Sequence, residues 1–176
     1  MNFDNDCISS FSWINRLDII KALFPGQVII PEVVFEELSK MKKTKFPYVF
    51  ENIDREITKK NFLIKDIGVT DPYLKEYLQL TSMDNPKKIG RGEAAAIVIA
   101  KSLNGTLASN NLSDVLEYVK GGHPPLISTE HILYFSWKVK YISIEEGQAI
   151  WQAMKAKKRV LPDYDFFHVI KKLNNL

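Results

Sequence analysis

Apolar residues along the chain fall into two alternating spacings. Short runs rich in Val, Ile, Leu and Phe, each bounded by turn or capping residues, occupy 1–4, 27–30, 62–67, 106–108 and 126–128 and predict strands. Helical spacing fills the gaps, near 8–23, 31–42, 49–60, 73–82, 92–103, 112–120 and 129–138, with a last long helix near 143–158. This alternation predicts an α/β fold of three layers, α/β/α, with a mostly parallel central sheet. The sequence contains no internal repeat, low-complexity tract or interdomain linker, and its 176 residues suit one domain. In parallel sheets ligands bind beyond the carboxyl ends of the strands. Acids placed just after strands, or in the first turns of the following helices, are therefore expected to converge.

Four acids meet that rule. Asp4 ends the first strand in Asp4-Asn5-Asp6, where an aspartate serves equally as an N-cap or a site acid. Pro31 opens the second helix directly after its strand. On that helix Glu37 shares the side of Val33, Val34 and Leu38, whereas Glu36 points to solvent. A carboxylate on an apolar face is costly unless a cation compensates it. Glu93 opens a helix that is apolar all round from Ala94 to Ala100, and it follows Gly90-Arg91-Gly92, where glycine allows close backbone approach. A glutamate there also suits the helix dipole. The fourth, Asp114, stands three residues after Asn111, the spacing of a capping box, so a structural role serves it as well as metal binding does. Asp6, Ser109 and Asn111 are the supporting polar residues at the same sheet edge. Carboxylates without accompanying Cys or His point to a hard cation, Mg²⁺ or Mn²⁺. Such a cluster can activate water and stabilise charge on a phosphodiester. Arg91, beside Glu93, is a candidate phosphate contact.

Composition narrows the class. With 45% apolar and 26% charged residues the chain reads as globular rather than disordered, and no apolar run is long enough to span a bilayer. The first residues lack a secretion signal and Cys7 is the single cysteine, so a reducing cytoplasm is the expected compartment. The short lead before Asp4 leaves room for a start further upstream. Net charge is only +3, but basic residues cluster at Lys40, Lys42, Lys43 and Lys45 and at Lys155, Lys157, Lys158 and Arg159. Each cluster reads as phosphate contacts or as a solvated helix end. His123, His131 and His168 share no metal-ligand spacing, and neither a phosphate-binding P-loop nor a Gly-x-Ser-x-Gly elbow occurs. Trp13, Trp137 and Trp151 sit in helical patterns that read as core rather than as base-stacking platforms. The segment 144–158 reads as a cover for the core or a docking site for a partner helix.

The opening Phe3-Asp4-Asn5-Asp6, the run Ile29-Ile30-Pro31 into Val34-Phe35-Glu36-Glu37-Leu38, and the stretch from Gly90 to Ala100 together resemble a PIN domain. The helix start Gly92-Glu93-Ala94 is similar to the PIN-like branch that opens this helix with Gly-Glu-Ala, and Leu107-Ala108-Ser109 with Asn110-Asn111 follows. The resemblance covers roughly 1–140, leaving about 141–176 as a C-terminal helical extension of a single PIN-like domain. It implies a metal-dependent nuclease, an endoribonuclease specific for single-stranded or structured RNA. It also implies Mg²⁺ or Mn²⁺ as cofactor, often a toxin role with a cognate antitoxin, and commonly a homodimer. The family's acids fall on Asp4, Glu37 and Glu93. The fourth falls on Asn111, a departure that leaves Asp114, one turn on, as the substitute. The rival expectation is a PIN-like fold without catalysis, acting as an RNA-binding or protein-interaction module. Asp4-Asn5-Asp6 also resembles the Asp-x-Asp of haloacid-dehalogenase-like phosphatases, which leaves Glu37 unexplained.

Overall fold

A computed structural model describes residues 1–175. Strands β1 (Asn2–Phe3), β2 (Val28–Pro31), β3 (Phe62–Lys65), β4 (Leu107–Ala108) and β5 (Leu126–Ile127) form a five-stranded sheet in the order β3-β2-β1-β4-β5. All pairings are parallel, with Asn2 opposite Ile29 and Phe3 opposite Ala108. Each strand lies within two residues of its expected bounds.

The helices are α1 (Asn5–Trp13), α2 (Leu17–Leu23), α3 (Glu32–Ser39), α4 (Tyr48–Thr58), α5 (Leu74–Thr81), α6 (Arg91–Ser102), α7 (Leu112–Val115), α8 (Thr129–Lys138), α9 (Ile144–Ala156) and α10 (Phe166–Asn174). They flank the sheet as the three-layer reading expects. The chain moves outward from β1 to β3, then crosses back over β1 to add β4 and β5. Right-handed crossovers put the intervening helices on opposite faces when the direction reverses. The reversal lies between β1 and β4, so the crevice at their carboxyl ends is the topological switch point.

Three expectations on helices are revised, the first near 112–120, where α7 ends at Val115 and a 3₁₀ helix (Leu116–Gly122) continues the chain. The stretch 8–23 is two helices, because Asn15 takes a left-handed conformation (φ 57°) that Asn tolerates better than most residues. Two loop hydrogen bonds close this break, from the Asn15 amide to the Ser12 carbonyl (3.1 Å) and from the Arg16 amide to the Phe11 carbonyl (2.9 Å). Helix α10 lies beyond the last expected helix. Asp165 caps it by accepting from the His168 amide (2.8 Å), and its Phe166 and Val169 are buried.

The main core contains Phe3, Phe11, Phe50, Phe62, Trp151 and Phe166, all fully buried. Trp151 and Met154 of α9 therefore belong to the core of the same body. The Trp151 indole donates to the Tyr164 carbonyl (2.6 Å), and a side chain at Gly147 would collide with the Phe166 ring, so α9 and α10 meet at closest approach. Buried Glu130 of α8 joins them, accepting from the Tyr164 hydroxyl and from Lys172 Nζ (3.1 Å). Helix α6 is buried from Ala94 to Ala100. Ala96, Ile97 and Ala100 pack with Leu107, while Ala94 and Val98 pack against Leu80. Two-sided packing explains its unbroken apolar run, with each large side chain contributing about 1.5–3 kcal/mol. Among the described residues no helix is long and apolar enough to cross a membrane.

Candidate active site

Asp4 leaves β1 at the switch point and caps α1. Its Oδ1 accepts from the Cys7 amide (2.8 Å), satisfying one of the free donors of the first helical turn. Its Oδ2 is buried and has no hydrogen-bond partner. The two readings of Asp4 are thus divided between its two oxygens. Burial raises its pKa from 3.8 to about 7, opposed by the Ser109 hydroxyl and the Cys7 amide and assisted by the negative charges of Asp6 and Glu93. Ser109, buried at the end of β4, accepts from the Asn111 amide through Oγ (3.1 Å) beside the Asp4 carboxylate.

Glu37 is half-buried on α3 between buried Val34 and Leu38, while Glu36 is exposed. Asn5 Nδ2 donates to Glu37 Oε2 (3.3 Å), so the residue after Asp4 also steers the second acid. A Cβ at Gly92 would lie 3.0 Å from Glu37 Oε2 and 3.2 Å from Val34 Cγ2. Glycine here lets α6 pass directly over α3 and brings Glu37 against the first turn that carries Glu93. The Glu93 side chain folds back over Gly90, where any side chain would meet its carboxylate. Asp6 and Glu37 line one open pocket of about 250 Å³ together with Asn5, Ser9, Trp13, Met41 and Arg159.

Other expected site residues lie elsewhere. Asp114 accepts from Asn111 Nδ2 (2.8 Å) and from the Ser113 hydroxyl (3.1 Å), a local network at the start of α7. Arg91 is exposed and reaches the Tyr77 hydroxyl (3.4 Å) in a neighbouring pocket with Glu36, not in the pocket that holds Asp6 and Glu37. Asn5 and Trp13 are not read from the sequence as site residues, whereas Arg159 is read there as one of a basic cluster offering phosphate contacts. Asn5 was visible inside the Asp-Asn-Asp run, but its role depends on α3 packing against α1. Trp13 is half-buried and lines the pocket instead of sitting wholly in the core, and Arg159 reaches the same pocket from beyond α9.

Oxygen donors of this kind suit a hard divalent cation, and the buried, unpartnered Asp4 Oδ2 is an acceptor in need of one. Among the described residues no three acidic, His or Cys groups are drawn together tightly enough to hold a metal as they stand. The donor chemistry fits such an ion, and closing the shell requires Glu37 and Glu93 to turn toward Asp4.

The family model DUF3368, described as a PIN domain, matches residues 2–111. That span includes Asp4, Glu37, Glu93 and Ser109 and stops before Asp114. No curated protein and no solved structure matches the chain significantly.

Proposed function

Since this chain belongs to the PIN-domain family, we propose that it is a metal-dependent endoribonuclease acting on single-stranded or exposed RNA. The observation that carries this reading is the buried Asp4 carboxylate, with one oxygen spent on the α1 cap and the other unpartnered at the switch point. Asp4, Glu37 and Glu93 would hold the ion, and Asp114 would join only by leaving its network with Asn111 and Ser113. Mg²⁺ or Mn²⁺, when bound, supplies water activation and neutralises charge on the phosphodiester. The chain's own residues prepare the site. Cys7 and Ser109 orient the Asp4 carboxylate, and Asn5 fixes Glu37. Buried Ala94–Ala100 anchors the α6 turn that carries Glu93. A toxin role with a cognate antitoxin belongs to the same proposal; growth arrest on expression, relieved by the product of an adjacent gene, tests it.

A specific observation favours a second reading. Asn111 and Asp114 satisfy each other, and no three-acid shell is preformed among the described residues, as befits a PIN fold serving as a non-catalytic RNA-binding or protein-interaction module. Cleavage of a single-stranded RNA with Mn²⁺ separates the two. The nuclease reading expects cleavage by the wild type and none by Asp4→Asn or Glu93→Gln, both remaining folded. Equal cleavage by all three, or none by any, overturns it. The match through Asp4 leaves the phosphatase reading without support.

A further inference from the structure

Arg159 lies beyond the region matched to the family, in the loop after α9, yet it lines the same pocket as Asp6 and Glu37. Its guanidinium carbon sits 5.1 Å from the centroid of the Trp13 ring, and Trp13 is itself backed by Phe46 at 4.8 Å and Tyr48 at 6.0 Å. Arg159 Nε donates to the Lys157 carbonyl (3.2 Å), which fixes one edge of the guanidinium. Among the described residues the guanidinium forms no ion pair, although two carboxylates share its pocket. A cation stacked on an aromatic face, half-buried and not neutralised, is prepared to receive an anion. Arginine suits the place better than lysine, since only a planar guanidinium can stack on the indole while presenting donors in a fork to phosphate. Met41, also lining the pocket, belongs to a 3₁₀ turn (Lys40–Lys43) whose lysines are exposed and extend the positive rim outward.

We propose that Arg159 is a substrate-binding residue, contacting a backbone phosphate of single-stranded RNA whose neighbouring linkage lies at the Asp4–Glu37–Glu93 acids. This rests on the ribonuclease reading and extends it: the C-terminal helices complete the substrate groove as well as the core. Trp13 is a positioning residue that holds the guanidinium toward the acids. Lys40, Lys42 and Lys43 continue the track for the strand as it leaves the pocket.

The test is binding of a fluorescently labelled single-stranded RNA oligomer by anisotropy, in EDTA to prevent turnover and at about 50 mM salt, where phosphate contacts are strongest. Arg159→Ala is expected to weaken binding roughly tenfold, the effect of losing charge-assisted hydrogen bonds. The slope of log affinity against log salt is expected to fall by about 0.7, the value for one contact on a single strand. Arg159→Lys should recover the salt slope and only part of the affinity, and Trp13→Phe should weaken binding less than Arg159→Ala. Lys59→Ala, on an exposed residue between α4 and β3 and outside both basic clusters, is the control and should bind as the wild type does. The Mn²⁺-dependent rise in melting temperature should survive in Arg159→Ala, which separates substrate binding from the metal site. Wild-type affinity in Arg159→Ala overturns this proposal and leaves the nuclease reading standing. Absence of RNA binding by the wild type overturns both.

Discussion

Replacing Asp4 with asparagine removes one buried charge and little else. The new side chain can still accept from the Cys7 amide through its carbonyl oxygen, so the α1 cap is retained. Burial raises the Asp4 pKa to about 7 from an ordinary 3.8. A carboxyl whose folded pKa is raised is favoured by folding only while protonated. Its stabilisation is complete below pH ~4, where the unfolded chain is also protonated, and is lost as pH rises toward about 7. At about 1.4 kcal/mol per unit, three units correspond to about 4 kcal/mol between pH 4 and pH 8. Asparagine does not titrate, so this component vanishes in the variant. The new Nδ2 needs an acceptor, and an imperfect one costs about 1–3 kcal/mol at every pH. Asp4→Asn is therefore expected to be the less stable protein near pH 4 and the more stable one, by about 2 kcal/mol, near pH 8. Thermal melts in EDTA read this as a swing on the order of 10 °C in the difference between the two proteins, at about 2–4 °C per kcal/mol for a chain of this size. Because the cost of asparagine is constant, the swing does not depend on it. Parallel pH profiles for the two proteins would refute the assignment of a charge trapped at Asp4.

Two further variants probe the frame around the acids. Gly92→Ala places a methyl 3.0 Å from Glu37 Oε2 and 3.2 Å from Val34. Overpacking costs about 1–3 kcal/mol and the helix propensity of alanine returns up to ~1. The expected outcome is a melting temperature a few degrees lower and a diminished response to Mn²⁺; an unchanged melt with full metal response contradicts the close α3–α6 contact. Glu130→Ala removes the buried acceptor shared by Tyr164 and Lys172, where Lys172 is partly exposed and the ion pair correspondingly screened. A loss of about 2 kcal/mol, roughly 4–8 °C, is expected from thermal melts, with the Mn²⁺ response intact; a shift under 1 °C shows that the C-terminal helices are anchored otherwise.

The sequence carried the sheet and the acids to different depths. Strand positions were legible because each is a short apolar run ended by Asp, Pro, Ser or Lys, even in edge strand β3, where Leu63 and Ile64 are exposed. Glu37 was legible because a helical wheel separates it from Glu36, and Glu93 because the helix behind it has no other early acid. The break at Asn15 was hidden, since the apolar spacing continues across it and only the backbone at one residue departs. The division of labour within Asp4 was also hidden, because capping and ligation call for the same residue at the same place. The capping box expected of Asn111 and Asp114 does not form: no Asn111 side-chain oxygen caps α7, and the two residues are instead joined side chain to side chain. Arg159 was visible as one member of a basic cluster, but its neighbour Trp13 lies some 146 positions away in the chain. No local pattern predicts that contact. It depends on α9 packing against the main core through Trp151 and Met154.

Asp4, Glu37 and Glu93 are proposed to form a divalent-metal site, and thermal stability with and without Mn²⁺ tests this without any assumption about substrate. Binding to the native state alone adds about 2.7 kcal/mol at a hundredfold excess over the dissociation constant. The wild type at pH 8 should therefore melt roughly 5–11 °C higher with Mn²⁺ than in EDTA, and Glu93→Gln should lose most of that rise while keeping its metal-free melting temperature. No rise in the wild type, or an equal rise in the variant, would contradict the claim.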